Sequence, residues 1–165
     1  MRMKQDEIYA DFLTLAGMNA PMSTKCTMLG WLLKHAPNWI VIGVTPAALE
    51  KLAELDFRYE PRRGLERAHP YSRAKTYTRL LTELPSQAEL WRILDKNDRT
   101  VLCDNSAPER ENARIHQLPF CPVPIGLFEG KRVGWAHRVA ERDFLRDLYA
   151  RRNSAEMTTW DQLRV

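Results

Sequence analysis

The chain has 165 residues, with 25 Lys and Arg against 21 Asp and Glu and a formal net charge of +4; its pI is near 9.1 and its mean hydropathy is −0.46. Hydrophobic residues make up 44% and charged residues 28%, the composition of a folded domain of ordinary size, which excludes a disordered or collagen-like chain and needs no disulfide or metal staple. No apolar run approaches the roughly 18 residues that span a bilayer. The start, Met1-Arg2-Met3-Lys4, leads into an amphipathic segment and not into a signal-peptide core, so a cytoplasmic protein without membrane contact is expected.

Residues 4–17 carry Ile8, Phe12 and Leu15 at helical spacing, with Gly17 as the stop. A second helix is expected from Ser23 to His35, ended by Pro37. Trp39-Ile40-Val41-Ile42-Gly43-Val44 is rich in β-branched residues and reads as a buried strand. Thr45-Pro46 then starts a helix with Leu49, Leu52 and Leu55 inward. From Asp56 to Ser72 the periodicity fails, and a loop with at most a short extended piece is expected. Ser72 caps a helix to about Thr82, with Tyr77, Leu80 and Leu81 inward, and Thr82-Glu83-Leu84-Pro85 breaks it. Ser86-Gln87-Ala88-Glu89 has the form of a capping box for a helix burying Leu90, Ile93 and Leu94.

Arg99 to Cys103 reads as a strand. The stretch from Asp104 to Pro124 is polar and Pro-punctuated, either a functional loop or a weak strand at 113–118. Ile125 to Ala136 has two apolar runs about Glu129-Gly130-Lys131, the pattern of a β-hairpin. A last helix over Val139 to Arg152 presents Phe144, Leu145, Leu148 and Tyr149 on one face, and residues 153–165 form a polar tail with one anchor, Trp160, that either docks or leaves the tail mobile. The order α α β α α α β β β α lacks a regular βαβ alternation. The expected fold is therefore α+β: one mixed domain over 1–165, helices packed on a small sheet, with a C-terminal hairpin followed by a helix. Cys26, Cys103 and Cys121 are odd in number, widely spaced and without a C-x-x-C pair, so reduced thiols are expected and a zinc site is not.

The charge is localised. Between Phe57 and Arg79 there are seven basic residues, Arg58, Arg62, Arg63, Arg67, Arg73, Lys75 and Arg79, against Glu60 and Glu66, so this window carries +5 and the rest of the chain −1. Arginine outnumbers lysine 18 to 7 over the whole chain, and the planar guanidinium suits bidentate phosphate contact and stacking. Phe57, Tyr59, Tyr71 and Tyr77 are interleaved with these cations, and a helix start follows at Ser72. Charge, oriented N–H donors and aromatic faces together are what phosphate and base contact require. Arg58, Arg62, Arg63, Arg67, Tyr71, Arg73, Lys75 and Arg79 are accordingly the expected nucleic-acid contacts. The alternative is an interaction module, an inhibitor or assembly factor, that meets an acidic protein through the same surface.

Catalytic signals are sparse. His69 lies between Arg67 and Arg73, which would favour its neutral form and let it act as a base, and His137 is its candidate acid/base partner for nucleic-acid hydrolysis. Asp104 with Glu129 and Lys131 matches part of a metal-dependent nuclease signature, although Glu-Gly-Lys is equally a hairpin turn. Ser72 to Leu94 can be read as a helix-turn-helix, against which stands its proline-broken turn. Gly-rich phosphate loops, a nucleophile elbow and His/Cys clusters are absent from the sequence, so no cofactor or metal is expected.

Overall fold

The structure is a computed structural model that describes residues 4–33, 40–58, 64–69, 71–106, 117–124, 126–128 and 138–162. Its elements run α1 (Gln5–Gly17), α2 (Met22–Leu33), β1 (Ile40–Val44), α3 (Pro46–Glu54), β2 (Leu65–Ala68), α4 (Arg73–Glu83), α5 (Gln87–Asn97), β3 (Arg99–Asp104), β4 (Cys121–Pro122) and α6 (Val139–Ala150), followed by a 3-10 turn at Arg152–Ser154. The fold class is α+β, as expected from the sequence. Among the described residues the order is α α β α β α α β β α, because the aperiodic stretch after Asp56 contains β2. The expected hairpin falls mostly outside the described residues, as does the weak strand at 113–118.

The chain forms two compact units. One consists of α1, α2, α4 and α5. Its core is the set that helical spacing selects: Ile8, Phe12 and Leu15 from α1, Leu29 and Leu33 from α2, Tyr77, Leu80 and Leu81 from α4, and Leu90, Ile93 and Leu94 from α5. Gly30 of α2 faces the Tyr77 ring of α4, where a Cβ would lie 3.4 Å away. Lys25 Nζ donates to the Ala16 carbonyl at 2.6 Å, satisfying one of the orphan acceptors at the end of α1.

The other unit is the sheet with α3 and α6. Strand order is β2-β3-β1-β4; β1 and β3 are parallel, and β2 and β4 pair antiparallel at the two edges. Pro122, which has no N–H to donate, is tolerated because β4 is an edge strand. On one face Val41, Val44, Leu65 and Leu102 pack with Ala48, Leu49 and Leu52 of α3 and Leu145 and Leu148 of α6. Val101 and Cys103 alternate to the other face, where Leu118 and Phe120 cover them and Trp160 packs alongside. The Trp160 ring meets Phe120 edge-on at 5.7 Å, and Thr158 and Phe120 exchange two backbone hydrogen bonds of 2.9 Å. Of the two arrangements open to the tail, Trp160 takes the docked one, against the sheet.

Gly43 is where this face is tightest. The register of β1 against β3 shifts between Val41 and Gly43, and a Cβ at Gly43 would overlap the Phe120 ring. Cys103 and Cys121 are buried, Cys26 is half-buried, and all three are free thiols.

Candidate nucleic-acid interface

The basic window is divided between the two units. Arg58, Arg67 and His69 belong to the sheet unit, whereas Tyr71, Arg73, Lys75 and Arg79 belong to the helical one. Arg62, Arg63 and His137 lie outside the described residues, as do Glu129 and Lys131.

In the sheet unit, α3 ends in two left-handed residues, Asp56 (φ 50°) and Phe57 (φ 56°). The turn buries Phe57 and leaves Arg58 exposed, 3.8 Å from the Asp56 carboxylate. Arg146 bonds Asp56 at 2.9 Å, and its hydrogen bond and charge hold that carboxyl below the usual range. Arg67 is half-buried on β2, opposite Leu102, and His69 is half-buried directly after the strand.

Asp104 ends β3 with Lys51 Nζ at 2.6 Å. It also accepts from the Ser106 backbone N–H. Burial alone would raise the Asp104 pKa, but the hydrogen bonds from Lys51 and Ser106 outweigh it and lower the pKa. Lys51 reaches the Gly64 carbonyl at 3.5 Å as well. Gly64 has φ +81°, and any Cβ there would crowd Lys51 Nζ. Asp104, the candidate metal ligand, thus joins α3 to the end of β3. Among the described residues no cluster of His, Cys, Asp and Glu could hold a metal ion.

The helical unit gathers cations into one place. Ser72 caps α4 by accepting the Lys75 N–H at 3.5 Å. With Thr76, Tyr77, Leu80 and Leu81 turned inward, helical periodicity places Lys75 and Arg79 one turn apart on the outside. The helix ends at Leu84, whose left-handed backbone (φ 47°) reverses the chain, and Ser86 caps α5 by accepting the Glu89 N–H at 3.4 Å. Burial of Leu90, Ile93 and Leu94 leaves Arg92 and Lys96 outward. The result is a groove of about 210 Å³ between α4 and α5, lined by Tyr71, Arg79, Arg92, Ile93, Lys96 and Asn97. Arg79 also borders a shallower depression on the outer side of α4 that includes Lys75, so the positive surface continues along that helix.

Two of these cations have local partners. Arg79 Nε contacts both Glu83 oxygens at 3.0 and 2.9 Å, and Arg92 donates to Glu89 at 2.7 and 2.6 Å. The Arg92 hydrogen bond holds the Glu89 carboxyl below its usual range. Such solvent-exposed pairs within one helix contribute little, so either guanidinium can turn to an incoming anion at little cost. Among the described residues no carboxylate pairs with Lys75 or Lys96.

Arg73 lies differently. Its Nε is 3.7 Å from Oδ1 of Asp98, a carboxylate whose side chain is only 5% exposed. Nearby, Asn97 Nδ2 donates to Thr76 Oγ1 at 3.1 Å, and burial pushes the Tyr77 hydroxyl up to about 12. These groups tie the start of α4 to the end of α5 beneath the groove.

Of the residues expected from sequence, Tyr71 and Arg79 line the groove and Lys75 extends it, while Arg73 faces Asp98. Arg92 and Lys96 were not expected. They stand outside the basic window, on a helix where Glu89 and Asp95 balance their charge, and their signal was the outward i, i+4 spacing on α5. The turn Leu84-Pro85-Ser86 has the length found in helix-turn-helix motifs. However, the start of α5, which such a motif inserts into the major groove, is occupied by α1: Gln87 donates to Asp6 at 2.6 Å and the Tyr9 hydroxyl donates to the Pro85 carbonyl at 3.0 Å.

No protein-family model, curated protein or solved structure matches the chain. Among the described residues no helix is long and apolar enough to cross a membrane.

Proposed function

We propose that this protein binds nucleic acid, seating backbone phosphates on Lys75, Arg79, Arg92 and Lys96 beside Tyr71. The observation that carries this reading is the convergence of three cations from two helices on one groove. Guanidinium groups held there by exposed pairs exchange a carboxylate for a phosphate with little loss, and the lysines need no such exchange. The reading is one of binding: the groove presents cations, an aromatic ring and an amide, groups suited to holding a phosphate chain.

The test is affinity for a labelled oligonucleotide at low salt. The double variant Arg79→Gln, Lys96→Gln removes two exposed charges, so it folds with unchanged thermal stability and binds at least about tenfold more weakly. Unchanged affinity in the folded double variant would refute the proposal.

A further inference from the structure

Resting on the phosphate-binding reading, we infer that the groove takes single-stranded nucleic acid, with one unpaired base stacked on Tyr71 and the neighbouring phosphates held by Arg79, Arg92 and Lys96. Tyr71 is 39% exposed at the edge of the groove, whose floor includes the apolar Ile93, 6% exposed. An aromatic face, an apolar floor and surrounding cations form the combination that binds unpaired strands: the ring takes a base and the cations follow the backbone. In a duplex both faces of a base are covered by its neighbours, so the Tyr71 ring has nothing to stack on.

Size points the same way. At about 210 Å³ the groove is smaller than the roughly 300–1,000 Å³ clefts that enclose drug-sized ligands. It suits one unit of a polymer that continues beyond it, and the depression bearing Lys75 and Arg79 gives the strand a path along α4. The Asn97 side-chain oxygen is available to accept from a base edge, its amide nitrogen being engaged with Thr76. The most direct route to duplex reading, insertion of the start of α5 into the major groove, is obstructed by the contacts of Asp6 and Tyr9 described above.

The experiment is fluorescence anisotropy on the full chain with labelled oligo-dT, oligo-rU and a dT·dA duplex, each of about 12 nucleotides, within the range of single-strand site sizes. The expected result is binding of at least one of the single strands about tenfold or more tighter than the duplex. Stacking of one base on one ring corresponds to roughly fivefold to 150-fold in affinity, so Tyr71→Ala should weaken single-strand binding by at least fivefold, and Tyr71→Phe, which keeps the ring, by less than about twofold. Duplex binding as tight as single-strand binding would overturn the inference, as would single-strand affinity unaffected by Tyr71→Ala or lost equally in Tyr71→Phe. If Tyr71→Ala has no effect while Arg79→Gln and Lys96→Gln still weaken binding, stacking is wrong and the phosphate reading stands. If the charge variants also leave every affinity unchanged, the phosphate reading itself fails.

Discussion

Replacing Asp104 by Asn tests whether this carboxylate serves the fold. The residue is 7% exposed, its carboxylate is 2.6 Å from Lys51 Nζ, and it accepts the Ser106 N–H. Asn keeps the shape and one acceptor oxygen but removes the charge, leaving Lys51 with a neutral partner. A hydrogen bond to a charged group contributes about 1.5–3 kcal/mol. Because the Lys51 side chain is 34% exposed and water takes up part of the loss, about 1–2 kcal/mol is expected at pH 7. The pH dependence follows from the lowered pKa of Asp104. A carboxylate whose folded pKa lies below its unfolded value contributes fully above the unfolded value, and the contribution is lost as pH falls through the folded one. The difference between wild type and Asp104→Asn should therefore be full at pH 7 and shrink as pH falls below the ordinary aspartate value of 3.8. Urea unfolding at a series of pH values measures it. A loss below about 0.5 kcal/mol at pH 7, or a loss that persists unchanged at the lowest pH at which the protein still folds, would refute the reasoning.

Two further variants test the fold where its geometry is most specific. Gly43→Ala places a methyl group into the Phe120 ring and should cost about 1–3 kcal/mol by overpacking; a chemical melt indistinguishable from wild type would contradict the close approach. Leu84 holds φ 47° and is 51% exposed, so Leu84→Gly relieves left-handed strain with little packing to lose and should stabilise the helical unit by a few tenths to about 1 kcal/mol; a lowered midpoint in thermal unfolding would contradict it.

Much of the fold was legible because spacing and capping are local. The inward stripes of α1, α4 and α5, the Thr45-Pro46 start of α3 and the Ser86 cap all follow from residues within a turn or two of each other. β2 was less legible. Leu65-Glu66-Arg67-Ala68 has no β-branched residue, and it is held as a strand by antiparallel pairing with β3, more than 30 residues later. β4 is two residues long and includes a proline, so no periodicity could mark it. The role of Gly43 depends on Phe120, which no local pattern connects to it.

The site divides in the same way. Tyr71, Lys75 and Arg79 stood out because linear charge density draws attention to them, and the helix that spaces them is itself local. Arg92 and Lys96 did not, since Glu89 and Asp95 cancel their charge in sequence and only the packing of α5 beside α4 brings them to the groove. Arg73 illustrates the converse: its charge counts toward the basic window, yet the fold places Asp98 against it, 25 residues further on.

The central claim is that cations of the α4–α5 groove bind phosphate, and the dependence of binding on salt tests it most directly. Three to four phosphate contacts predict that log K for a single strand falls with log salt at a slope of about −2 to −3, and that each of Arg79→Gln, Arg92→Gln and Lys96→Gln makes the slope shallower by about 0.7. A binding isotherm that does not move with salt, or a slope that none of the three substitutions changes, would contradict it.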